Sequence, residues 1–172
     1  LGNIGLTYNE MGEKRKAMDS YNQALSIGRS VGNRSGEAVT LGNIGGLYDE
    51  LGEKQKGLDF YNQALSISRE IGAAGVEART LFHIARINRA LGRLDESRSQ
   101  VESSLKIIES IRASVVSKDF GASYFATEQD VYEFYIDLLM QMRGRAPAGS
   151  HDAEALQVSE RSRARSLLES LA

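Results

Sequence analysis

The stretch Leu41–Thr80 reads LGNIGGLYDELGEKQKGLDFYNQALSISREIGAAGVEART. It is a near copy of the 40 residues before it, LGNIGLTYNEMGEKRKAMDSYNQALSIGRSVGNRSGEAVT, with about 24 of the 40 positions identical and YNQALSI kept whole. A self-similar period of about 40 residues sets the fold before any local motif does. Each unit of such an array buries its apolar face against its neighbours, not in one central core.

Glycines fall at Gly12, Gly32, Gly52, Gly72 and Gly92. Glycine accepts the left-handed conformation just past a helix end, so each reads as a helix stop. The period is then two antiparallel helices joined by tight turns. In the second unit Leu41, Ile44, Leu47, Tyr48 and Leu51 recur at three- and four-residue steps, which predicts one face of the first helix. Leu58, Tyr61, Leu65, Ile67 and Ile71 predict the face of the second helix. Gly45 and Ala64, with their copies Gly5 and Ala24, are small residues suited to a close helix crossing.

The third unit, residues 81–112, keeps Leu81, Ile84, Ala85, Leu91, Gly92 and Leu105 but loses the tyrosines. Asn88 stands at the register of Tyr8 and Tyr48, and Val101 at that of Tyr21 and Tyr61. Position 112 is Arg, so the glycine series stops and the last helix of this unit is expected to run on to about Val116. Residues 113–127 read as a junction in which Phe120, Tyr124 and Phe125 supply aromatic packing. Thr127 is expected to cap a helix from Glu128 to Arg143. A loop holding Pro147 follows, and Ser150 is expected to cap a last helix with Leu156, Ala164, Leu167, Leu168 and Leu171 on its apolar face. Residues 128–172 thus read as a divergent helix pair that covers the end of the array.

The expected fold is all-α: a right-handed superhelix of antiparallel helix pairs, about four pairs with the first truncated. The chain starts at Leu1 inside the repeat pattern, without Met, so it is expected to be cut from something longer.

Apolar content is 41%, charged content 26% and net charge −2, a globular composition that argues against a general nucleic-acid binder. No apolar run approaches the ~20 residues that span a membrane, and the expected location is cytoplasmic. The absence of cysteine excludes disulfides and thiol catalysis in this sequence.

These residues resemble the tetratricopeptide repeat in its longer, 40-residue form. The second unit supplies Leu41, Ile44-Gly45, Tyr48, Leu51-Gly52, Tyr61 and Ala64, with Gly57 in place of the family's Ala. The first supplies Ile4-Gly5, Tyr8, Met11-Gly12, Ala17, Tyr21 and Ala24. The stretches ASYFAT, YEFYIDLLMQM and SERSRARSLLESL resemble the segment that joins such repeats to the caspase-like domain of bacterial CHAT proteins. That resemblance implies a parent protein with a His/Cys dyad beyond Ala172.

The tetratricopeptide resemblance also implies a binding groove lined by the first helix of each pair. The family's Asn before the Leu-Gly pair faces that groove and bonds a bound peptide's backbone. The matching residues are Asn3, Asn43 and His83. An amide carries both a donor and an acceptor, so it suits an extended peptide of any side chain. In the third unit Arg79, His83 and Arg86 share a helix face, flanked by Arg89. The second unit has Val39, Asn43, Gly46 and Asp49 there. The groove is thus expected to turn basic and to suit an acidic peptide or a carboxylate held by guanidinium forks; the bland alternative is a solvated charged face.

Other signals carry no chemistry. Gly42-Asn-Ile-Gly45-Gly46 lies inside a repeated helix with no preceding strand, so it is not a phosphate loop. His83 and His151 lack metal-ligand spacing. Arg161, Arg163 and Arg165 read as exposed, with Glu169 as a helix partner of Arg165. No nucleophile–base constellation can be named. The expectation is a non-enzymatic scaffold that binds a protein or peptide, with no cofactor, metal, nucleic acid or membrane, monomeric or weakly self-associating. The alternative is a structural spacer or self-association module with no peptide ligand.

Overall fold

The computed structural model describes residues 1–114, 122–143 and 150–170, with side-chain surroundings over 1–113, 129–143 and 151–163. Regular structure among the described residues is helical throughout: α1 (Gly2–Glu10), α2 (Lys14–Ser30), α3 (Arg34–Glu50), α4 (Lys54–Glu70), α5 (Ala74–Ala90), α6 (Leu94–Ser114), α7 (Ala122–Arg143) and α8 (Ser150–Ser170). Two compact units divide the chain, Leu1–Ile87 and Asn88–Ala172.

The glycine series ends the helices as expected. Gly12, Gly32, Gly52, Gly72 and Gly92 all have positive φ, between 66° and 80°. At each, the glycine N–H donates to the carbonyl three residues back, and the next N–H donates five residues back. Examples are Gly52 to Asp49 at 3.0 Å and Glu53 to Tyr48 at 2.9 Å. This double bond satisfies carbonyls that a helix end leaves open. Turns this tight fold each helix back on the one before it.

In the first unit the core runs through Ala17 and Tyr21 of α2, Ala38, Leu41, Ile44 and Leu47 of α3, and Ala64 and Ile67 of α4. Ile44 is wholly buried, and burying a side chain of that kind stabilises by about 1.5–3 kcal/mol. The close helix crossing joins Gly45 to Gly57, where a Cβ on either residue would lie 3.0–3.1 Å from the other's carbonyl oxygen. The glycine at position 57 is what lets α3 and α4 touch by their backbones; Ala64 is buried as well.

Polar contacts repeat with the period. Arg29 Nε donates to Glu37 Oε1 at 2.8 Å, and Arg69 Nε to Glu77 Oε1 at 2.8 Å. Lys16 lies over the Tyr8 ring and Lys56 over Tyr48, both at 5.4 Å. Asn33 caps α3 by accepting the Gly36 N–H at 2.9 Å.

Three expectations need correction. Leu51 and Ile71 do not extend the apolar faces: each is the residue after its helix and is exposed, Leu51 at 49%. Helical spacing continues through them in sequence, but the chain has already turned. Helix α7 starts at Ala122, not Glu128, so Thr127 lies inside a helix and does not cap one. In α8, Leu156 is 61% exposed, and the neighbouring Ala155 and Val158 are buried instead. The expectations for Val116, Phe120, Pro147 and Leu171, and for the side chains of Tyr124, Phe125, Ser150, Ala164, Arg165, Leu167, Leu168 and Glu169, lie outside the described residues.

In the second unit Val131, Leu138 and Leu139 of α7 are fully buried, as is Val101 of α6. Val101, standing at the tyrosine register, is thus a core residue.

Candidate functional site

Within the first unit, α3, α4 and α5 enclose a small pocket of about 80 Å³. Ala38, Gly42 and Asn43 come from α3, Tyr61 from α4, and Arg79, Thr80 and His83 from α5. The repeat explains the assembly. Asn43 and His83 occupy the same register of successive first helices, and α4 passes between them carrying Tyr61. Gly42 and Ala38 are small enough to leave the space open.

The His83 ring stacks on Tyr61, with centroids 5.2 Å apart and planes 9° from parallel. Phe82 lies tilted to it at 6.1 Å. Burial pushes the His83 imidazole down to about 4, and the nearby Arg86 and Arg79 charges add to that; Asp49 opposes them. His83 is therefore neutral at pH 7, with one ring nitrogen a donor and the other an acceptor. Burial also drives the Tyr61 phenol well above its ordinary value, helped by Asp49 and opposed by Arg86 and Arg79. The Thr80 hydroxyl donates to the Val76 carbonyl at 2.7 Å and is already engaged.

Cations of the first unit are mostly paired. Lys14 binds Glu50, Lys16 binds Glu13, Lys54 binds Asp49 and Lys56 binds Glu53. Arg29 and Arg34 share Glu37, and Arg69 holds Glu77. Among the described residues Arg79 and Arg86 form no ion pair, and the Asn43 amide makes no hydrogen bond. Two guanidiniums and an amide are thus left available on one side of the unit.

The structure brings Asn43, Arg79 and His83 together. Arg86 sits one turn beyond His83, outside the pocket lining, and acts on it through its charge. Asn3 is exposed on α1, in the register of Asn43, and does not reach this pocket. Arg89 is engaged elsewhere, within the second unit. Its Nε donates to Gln141 Oε1 at 2.8 Å, and its guanidinium lies 5.2 Å from the Phe134 ring centroid. Tyr61 is the site residue that sequence reasoning assigned only to the framework. Its signal was the change from Asn43 to His83 at the register its ring faces.

A second groove, of about 390 Å³, is lined by apolar side chains such as Ile27, Val31 and Val39 and by none of the expected site residues. No group of three or more His, Asp or Glu among the described residues is placed to hold a metal ion. No described helix is long and apolar enough to cross a membrane.

The family model of the tetratricopeptide repeat matches residues 1–70 and, in a second placement, residues 38–110. The chain belongs to the tetratricopeptide-repeat family. The two placements overlap on residues 38–70, which hold most of α3 and all of α4, the unmodified pair of this tetratricopeptide array.

Among solved structures, the tetratricopeptide chain is similar to the putative kinesin light chain with nearly identical TPR-like repeats from Podosopora anserina. Identity there is 15% over 98% of this chain and 90% of the other, with a TM-score of 0.58. It is also similar to BtubC (BKLC) from P. vanneervenii, with 17% identity over 93% of this chain, 72% of the other and a TM-score of 0.60. At such identities the likeness establishes the all-helical fold alone. No curated protein matches the chain.

Proposed function

We propose that this tetratricopeptide array is a protein-interaction scaffold without catalysis of its own, and that its first unit holds an acidic segment of a partner. The observation that carries the reading is the pair of uncommitted guanidiniums, Arg79 and Arg86, beside the free amide of Asn43. Seven of the other cations of that unit are matched to carboxylates within it. Arg–carboxylate hydrogen bonds contribute about 1.5–3 kcal/mol when partly desolvated. The pocket is far below the ~300 Å³ that a small-molecule site needs, which favours a side chain presented by a longer segment.

Fluorescence anisotropy with a labelled peptide alternating glutamate and serine tests the reading, with the glutamine counterpart as control. The glutamate peptide is expected to bind and the glutamine peptide to bind at least about tenfold more weakly. Asn43→Ala and Arg86→Ala are each expected to weaken the glutamate peptide. Equal binding of both peptides, or unchanged affinity in both variants, removes the groove reading.

The narrower assignment, the recognition arm of a caspase-like CHAT protein, rests on the resemblance of ASYFAT, YEFYIDLLMQM and SERSRARSLLESL alone. The reading frame past Ala172 tests it. A domain with a His/Cys dyad supports the assignment, and a stop codon overturns it.

A further inference from the structure

At the groove of about 390 Å³ on α2 and α3, one copy of the repeat leaves bare what the next copy buries. Ile27 of α2 is 53% exposed, whereas Ile67, at the same register of α4, is 7% exposed. Ile4 of α1 is 49% exposed, whereas Ile44 of α3 is wholly buried. In the second copy these surfaces meet: Ala38, Leu41 and Ile44 of α3 share one apolar cluster with Ala64 and Ile67 of α4. Helix α1 has 9 residues against 17 in α3, so it covers less of the helix that follows it.

Departures from the repeat make this groove deeper and plainer than its copy. Gly28 lines it where the next copy has Ser68, and Gly36 where the next copy has Val76. Val76 packs against the core of the unit, and glycine at position 36 leaves that volume empty. Val39 stands where the next copy has Arg79, and no side chain of the lining is charged. Asn33, Ser35 and Thr40 give the groove a polar rim. A contiguous apolar patch with a polar rim is the mark of an interaction surface.

The kind of partner follows from the missing charge. A two-fold pair sets the same patch of both copies face to face, so a patch of one charge sign would meet its like. An uncharged patch carries no such penalty. The residue types that meet inside the second copy are also both exposed here on one surface: Leu1 and Ile4 beside α2, and Ile27 on it.

We propose that this face pairs two copies of the chain, with Leu1 and Ile4 of each copy seated against Ile27 and Val31 of the other. The pairing repeats between chains the apolar contact that α3 makes with α4 within one. Gly28 and Gly36 supply the room for the incoming side chains. None of Asn43, Arg79 and His83 lines this groove, so pairing and acidic-segment binding stand or fall separately.

Sedimentation equilibrium of the full 172-residue chain tests this, at concentrations from about 1 to about 200 μM. The expected result is a monomer–dimer equilibrium with a dissociation constant on the order of 10 μM. An apolar contact is expected to hold in about 0.5 M NaCl, where exposed ion pairs are screened. Ile27→Lys and Val31→Lys place a cation in the patch, near a helix C-terminus that tolerates one, and each is expected to weaken pairing at least about tenfold. Leu51→Lys, at an exposed turn outside the groove, is expected to leave pairing unchanged. Circular dichroism checks that each variant stays helical; if Ile27→Lys does not, Val31→Lys decides, since Val31 is 69% exposed. A chain that stays monomeric throughout overturns the proposal, as does a dimer unmoved by the decisive variants. Growth past the dimer means a head-to-tail contact, and dissociation in salt means ion pairing; either also overturns it.

Discussion

Gly45 and Gly57 meet backbone to backbone: a Cβ on Gly57 would lie 3.0 Å from the Gly45 carbonyl oxygen, and one on Gly45 would lie 3.1 Å from that of Gly57. Two effects compete when Gly45 becomes Ala. Helix propensity favours Ala by up to ~1 kcal/mol. Overpacking against a backbone carbonyl, which no rotamer change can move, costs about 1–3 kcal/mol. Overpacking wins, and Gly45→Ala is expected to lower stability by about 1–2 kcal/mol. Gly42 lies one turn earlier in the same helix, and a Cβ there would meet nothing within 4 Å. Gly42→Ala is expected to stabilise by up to ~1 kcal/mol. Urea midpoints of the two variants, compared with the parent, check the opposite signs.

The turn glycines are a different case. A Cβ on Gly52 would also meet nothing within 4 Å, but its φ is 80°. The cost of Ala there is conformational, about 1–2 kcal/mol. Gly52→Ala and Gly42→Ala thus add the same methyl into open space with opposite expected outcomes. Equal urea midpoints for the two would show that φ, not packing room, is irrelevant at the turn.

Those glycines are why the fold could be read from sequence. A residue that tolerates positive φ, placed every 20 positions, marks the helix ends, and apolar spacing between the marks places Leu41, Ile44 and Leu47 inward. The same spacing misleads at Leu51 and Ile71, because a periodic pattern does not register that the backbone has left the helix. Leu156 fails differently: α8 has few apolar side chains to fix its rotation, and Ala155 with Val158 takes the inward place. At the site, the shared register of Asn43 and His83 was legible, since it follows from the period. The stack on Tyr61 was not, because α4 brings that ring in through packing. The contacts of Arg89 were hidden for the same reason: its partners Phe134 and Gln141 sit far along the chain, and local pattern says nothing about them.

Glu37 gives the first unit a pH-sensitive contact. It is buried, and it accepts from Arg29 Nε at 2.8 Å and Arg34 Nη1 at 2.7 Å. The Arg29 hydrogen bond does most to hold its carboxyl below the ordinary value; burial opposes, and Arg34 assists. A depressed folded value means that the stabilisation is full above the unfolded value, near 4.5, and is lost as pH falls through the folded one. Glu37→Gln is expected to cost about 1–2 kcal/mol at pH 7 and to reduce the loss of stability on acidification below pH 4.5. The repeat supplies a control in Glu77, which holds Arg69 alone and is more exposed. Glu77→Gln is expected to cost less than about 1 kcal/mol. Thermal melts at pH 7 and pH 3.5 separate the two; a Glu37→Gln melt that falls as steeply with acid as the parent's would sink the assignment.

Tyr135 organises the polar side of the second unit. Its hydroxyl lies 2.6 Å from Glu102 Oε1 and 2.7 Å from Glu154 Oε1, so α7 holds a carboxylate from α6 and one from α8. Arg98 spans the same two groups, with Nε 2.7 Å from Glu102 and Nη2 2.8 and 2.9 Å from the two Glu154 oxygens. Burial raises the Tyr135 phenol far above its ordinary value, and the two glutamates add to that, so it stays a proton donor at any physiological pH. Tyr135→Phe keeps the buried ring and removes only the hydroxyl. It is expected to cost about 1 kcal/mol, because Arg98 still neutralises the glutamates. Arg98→Met removes the cation that bridges them among the described residues and leaves two carboxylates facing each other, so its cost is expected to be larger. Native-state hydrogen exchange of the α8 amides is the measurement, with faster exchange in the order Arg98→Met, Tyr135→Phe, parent. The reverse order, with Tyr135→Phe the more damaging, would mean that the hydroxyl and not the charge holds α8 in place.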